Sequence, residues 1–153
     1  MLDLIEIVAR LAAAMVIGAA IGLNRNLKGK AVGLRTLGLV GLGAALVVMA
    51  SSDFAAHVQA DATSRAIQGI ITGIGFLGAG VILHDPRDGE VHGLTTAAAV
   101  WMTAAMGIVC GLGAWRIALI ALAFTAFLLI FGGKLERRCY KLLGHDKGSH
   151  PND

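Results

Sequence analysis

Three groups of residues in this 153-residue chain have types and spacings that could do chemistry. The stretch "GIGFLGAG" (73–80) places Gly73, Gly75 and Gly78 in the G-x-G-x-x-G spacing that cradles a dinucleotide pyrophosphate. The stretch "HDPRDGEVH" gathers His84, Asp85, Asp88, Glu90 and His92, whose oxygens and imidazoles are plausible ligands for a divalent cation. Glu6 and Arg10 stand four apart in an apolar run, where a helix would pair them. No Ser-His-Asp or Cys-His arrangement can be assembled at matching spacing, so an enzyme is not expected.

Each group has a plainer reading. A dinucleotide site needs a strand before the glycines, a solvated helix after them and an acid about twenty residues on. The glycines instead sit inside an apolar run, and the region where the acid should fall reads "TTAAA". The His84–Glu90 group contains Asp-Pro and Asp-Gly, the chemistry of a solvated turn. Asp3 and Glu6 fall within two turns of the chain's start, so Arg10 can pair with Glu6 and snorkel to the interface. That makes the pair structural, although an ionisable residue inside a membrane is a functional suspect by default.

The elements that would carry these residues are apolar. Hydrophobic residues make up 56% of the chain and charged ones 15%, against about a quarter charged in soluble domains. An integral membrane protein is the class this implies. Cys110 and Cys139 form no CxxC and read as free thiols. The net charge of +3 does not point to nucleic acid, because the basic residues flank apolar segments and no aromatics interleave them.

Five stretches read as membrane helices: 4–23, 34–51, 67–83, 95–113 and 117–131. At 1.5 Å per residue they span about 22–30 Å, adequate or slightly short for a hydrocarbon core of about 30 Å. Arg25, Lys28, Lys30, Arg35, Arg87, Lys134, Arg137, Arg138, Lys141 and Lys147 fall on one side, and Arg65 and Arg116 on the other. The positive-inside rule then puts the N-terminus outside and the C-terminus in the cytoplasm. The expected architecture is an all-α membrane bundle over residues 1–133 with a short basic tail over 134–153.

Within such a bundle glycine permits close backbone approach, because helices in lipid associate through packing rather than hydrophobic burial. Small residues four apart recur at Gly18/Gly22, Gly69/Gly73, Gly75/Ala79 and Gly107/Gly111. The third segment is richest, with Gly69, Gly73 and Gly80 on one helical face and Gly75 and Gly78 elsewhere. It should therefore be surrounded by other protein, as an intact helix or, alternatively, a broken one. The fifth segment, large and glycine-free before Gly132, should lie on the lipid-facing rim. Apart from Glu6 and Arg10, no acidic or basic residue lies well inside a segment, and the polar content there includes Gln68 and the threonines at 72, 95, 96, 103 and 125. A Mg2+ site at the midplane would lack the carboxylates that ion usually takes.

The stretches "IGLNRNLKGKAVGLRTLGLVGLGAAL" (21–46), "GIGFLGAGVIL" (73–83) and "VHGLTTAAAVWMTAAMGIVCGLG" (91–113) together resemble the MgtC/SapB family of small bacterial membrane proteins. The matching positions are Asn24 and Arg25, Gly33, Leu34, Arg35 and Thr36, the glycines at 73, 75, 78 and 80, and Gly93, Leu94, Thr95 and Thr96. Two positions depart from the family pattern: Asn24 stands where an acid is common, and Leu37 where a histidine is. The resemblance implies a multi-pass protein of the bacterial inner membrane linked to growth at low Mg2+ and, in some members, to virulence. It also implies two competing activities. One is an accessory protein acting on membrane partners such as the ATP synthase; the small-residue faces add an expectation of self-association, most simply as a dimer. The other is a transporter or channel for Mg2+ or another cation. No resident cofactor is expected, and Mg2+ would be effector or cargo.

Overall fold

The computed structural model describes residues 3–57, 61–84 and 91–142. Five helices carry the chain: α1 (Leu4–Leu27), α2 (Leu34–His57), α3 (Ala62–Gly80), α4 (Leu94–Gly111) and α5 (Trp115–Leu142). The fold is all-α apart from one short antiparallel pairing, β1 (Leu83–His84) with β2 (Val91–His92), in register Leu83↔His92 and His84↔Val91. The sequence reading took this connection for a turn alone. Asp85, Asp88 and Glu90 lie outside the described residues, and among the described ones no three His, Cys, Asp or Glu side chains gather where a metal could bind.

By length and composition α1, residues 34–52 of α2, α4 and residues 115–139 of α5 can each cross a membrane. The 19-residue α3 is long enough but carries Ser64, Arg65 and Gln68 in its first two turns. It is one unbroken helix through Gly80, so the broken form weighed for it does not occur. Helix α5 continues to Leu142, past the 133/134 boundary drawn from the sequence, because 134–142 is rich in good helix formers.

Close approach decides which helices touch. A Cβ on Gly22 would sit 2.6 Å from the Gly33 oxygen, and one on Gly18 would collide with the Leu37 carbonyl. Gly41 faces the Ala14 oxygen, 2.5 Å from where its Cβ would be, so α1 and α2 run antiparallel in contact. Gly107 meets the Gly41 carbonyl and Gly111 the Ala45 oxygen (2.8 Å), which seats α4 against α2, and Gly18 faces the Thr103 methyl at 3.1 Å, so α4 also packs on α1. Real Cβ atoms essentially never come within 3.0 Å of such atoms, so no larger residue fits without moving a helix.

The central helix is α4. Thr96, Ala99, Val100, Thr103, Ala104, Met106, Gly107, Ile108, Cys110 and Gly111 are all buried on it, and it packs against each of the other four helices. Helix α3, expected to be the enclosed one, buries only Ile74. Its Gly69, Gly73, Gly75 and Gly80 have nothing within 4 Å of a Cβ, and Gly78 has only the Ala97 methyl at 3.9 Å. Among the described residues, therefore, nothing packs closely on Gly69. Glycine density marks where a backbone can be approached, whereas enclosure requires facing partners on all sides, which α4 has. Helix α5 lies on the rim as expected, exposing Ile117, Leu119, Ile120, Phe124, Phe127 and Leu128.

Candidate functional site

Arg25, on the last turn of α1, is 3% exposed and is the one buried charged residue among the described residues. Its Nη2 donates to Thr96 Oγ1 at 2.6 Å, and Thr96 itself is 4% exposed. Thr96 occupies the third position of α4, so the guanidinium lies at the positive end of that helix rather than the negative one. The Arg25 Nε and the Asn24 Oδ1 are both buried with no hydrogen-bond partner. An acid at position 24 would set a negative charge beside this cation; Asn24 carries none. The other departure, Leu37, is fully buried against the core, where its apolar side chain fits.

Gly33, Leu34 and Gly93 lie around this pair at one end of the bundle, whereas Gly73 and Gly75 lie partway along α3. Gly33 and Leu34 open α2 directly against Gly22, three residues before Arg25. Gly93 caps α4 at φ 90°, a left-handed conformation that favours glycine, and any Cβ there would strike the Val81 carbonyl at the end of α3. The ends of α1 and α3 thus meet the starts of α2 and α4. Arg35, Thr36, Leu94 and Thr95 are on the same end but exposed, and they touch neither Arg25 nor Thr96 by hydrogen bond.

The first connection adds more positive charge. Lys28 donates through Nζ to the Leu129 carbonyl of α5. Partial desolvation, then the charges of Arg25, Lys30 and Lys134, hold its pKa below the usual lysine value. The clustering of Arg25, Lys28 and Lys30 makes the first connection anion-attracting.

At the opposite end Arg10 and Glu6 do pair, Nε to Oε1 at 3.1 Å. Arg10 also donates from Nη1 to the Gly111 oxygen at 2.7 Å, satisfying a carbonyl at the end of α4. A Cβ on Gly113, itself at φ 75°, would stand 2.5 Å from the guanidinium. The pair is a structural clasp between the start of α1 and the α4–α5 turn. The sequence reading missed this link, and also Gly41 and Gly113; Gly41 with Ala45 has the same four-residue spacing that singled out the other glycine pairs.

The gathered motif residues fall inside the span that known proteins share. The MgtC family matches residues 11–138. Protein SrpB of Synechococcus elongatus is 46% identical over 140 residues, covering 84% of this chain and 75% of its own length. YhiD of Escherichia coli K12, whose name labels it, provisionally, a magnesium transporter, is 41% identical over 81% of this chain and 59% of its own. Protein MgtC of Salmonella typhimurium LT2 is 42% identical over 74% of this chain and 47% of its own. The chain thus spans about half the length of MgtC and somewhat more of YhiD. No solved structure matches it. With the match starting within α1 and running to four residues before the end of α5, the chain is a multi-pass membrane protein and belongs to the MgtC family.

Proposed function

We propose that this chain serves Mg2+ homeostasis in the bacterial inner membrane as an accessory protein that docks on other membrane proteins, the ATP synthase being one candidate, or on a second copy of itself. The observation that carries this reading is the open glycine face of α3: among the described residues nothing lies within 4 Å of a Cβ on Gly69 or Gly80, which leaves room for a further backbone. In lipid, such a face gains most from another helix. The family membership and the names of YhiD and MgtC support the link to magnesium.

The polar interior argues against passage of the ion through the single chain. Arg25 fixes a positive charge among the buried groups. A divalent cation at about 4 Å from it would be repelled by roughly 8 kcal/mol at an effective dielectric of about 20. The alternative, a transporter, draws on the name of YhiD and would route the ion along α3 between assembled copies.

Liposomes carrying the purified protein and an internal Mg2+ indicator separate the two. No flux above protein-free vesicles is expected. In cells, Gly69→Leu is expected to abolish support of growth at low Mg2+ while the purified variant melts as the parent does. A Mg2+ flux that Gly75→Leu abolishes and Leu128→Ala leaves intact would establish the transporter instead.

A further inference from the structure

Between α2 and α3 runs an open apolar groove of about 600 Å³. Its walls are Leu39, Val40, Val47, Ile70, Ile74 and Leu77, and its floor is shallow where Gly43 and Gly73 carry no side chain. Arg35 and Thr36 stand at one end, and every other lining residue is apolar or glycine.

We infer that this groove is a binding site for one acyl chain of an anionic phospholipid of the cytoplasmic leaflet, whose phosphate is held by Arg35. Dimension and charge both favour that occupant. From Arg35 to Val47 the helix rises about 18 Å, close to the depth of one leaflet in a hydrocarbon core of about 30 Å. The single cation sits at the headgroup end, where a phosphate would lie. The connection leading into α2, "NRNLKGKAVGLRT", holds Arg25, Lys28, Lys30 and Arg35 and no acid. Anionic lipid concentrates at the cytoplasmic surface and is attracted by such segments, by about 1 kcal/mol per basic residue. A second copy docking here about a two-fold axis along the membrane normal would bring the two Arg35 side chains to the same depth at the headgroup end of the interface. That arrangement is repulsive, whereas a phosphodiester neutralises the charge. The first-turn amides of α2 add donors on the same side.

The inference does not depend on the accessory reading, since it concerns lipid and not a protein partner. Native mass spectrometry of the detergent-purified protein, titrated with phosphatidylglycerol or phosphatidylcholine, tests it. One tightly retained phosphatidylglycerol per chain is expected, with phosphatidylcholine bound more weakly. Arg35→Gln should weaken phosphatidylglycerol about fivefold, the equivalent of about 1 kcal/mol, and bring the two lipids level. Gly73→Leu puts a side chain into the groove from a position whose Cβ meets nothing within 4 Å, and should abolish retention of both. Gly75→Leu, outside the groove, should change neither. Retention indifferent to both Arg35→Gln and Gly73→Leu would overturn the assignment. So would efficient Leu39→Cys crosslinking between two copies, which would give the groove to protein.

Discussion

Gly107→Leu is expected to abolish the folded bundle, or to lower its stability by about 3 kcal/mol or more. Ordinary overpacking costs about 1–3 kcal/mol because side chains can shift. At Gly107 the obstacle is the Gly41 carbonyl, backbone of a facing helix, with the Ala44 Cβ behind it at 2.9 Å. Relief requires α2 and α4 to separate, and that would also unload Gly111 from Ala45 and open the contact around Met106 and Cys110. Thermal unfolding in detergent, followed by helical circular dichroism, measures the effect. Gly69→Leu is the matched control: the same change on a face that meets nothing should leave the melting unchanged or raise it slightly, as leucine is the better helix former.

The second large effect concerns the buried cation. Thr96→Val keeps the shape but removes the hydrogen-bond partner of Arg25 Nη2, and a bond to a charged group contributes about 1.5–3 kcal/mol. With Nε already unpartnered, the guanidinium would then lie buried with still fewer acceptors, so a loss of about 2–3 kcal/mol is expected. Replacing both, Arg25→Met with Thr96→Val, should recover part of that loss, since a buried charge can be exchanged for apolar packing at little or no cost. The double variant should nevertheless fail to support growth at low Mg2+ if the positive end of the bundle is what the protein uses. A double variant less stable than Thr96→Val alone would mean that Arg25 is held by favourable interactions beyond Thr96.

Much of this architecture is readable in the residues themselves. Apolar runs separated by basic loops give five helices and a rim position for α5, because large side chains without glycine have no close neighbour to admit. Gly18, Gly22, Gly107 and Gly111 announce their contacts by spacing, since only a missing Cβ lets a carbonyl approach so closely. The same logic misplaces the centre: α3 has the most glycines, yet they are open, while α4 is enclosed with fewer. Spacing reports what an approach would cost, not whether a partner arrives. The pairing of Arg25 with Thr96, 71 positions apart, is also beyond periodicity, because it depends on where two helix ends meet in space. Resemblance marked both residues without joining them. Arg10 was half readable: Glu6 lies four residues away, whereas its bond to the Gly111 carbonyl spans 101 positions.

The account stands on α3 crossing the bilayer, so that both the first connection and the strands β1 and β2 lie on the cytoplasmic side with Arg25 and Thr96. Single cysteines at Lys28, Asp61, Val91 and Leu112, in a background with Cys139→Ser, can be labelled by a membrane-impermeant maleimide in right-side-out and inverted vesicles. Cys110 is buried and should stay silent. Positions 28 and 91 should label only in inverted vesicles, and 61 and 112 only in right-side-out ones. Labelling of 28 and 91 from opposite sides would contradict the account, since the helix ends gathered around Arg25 could not then share one face of the membrane.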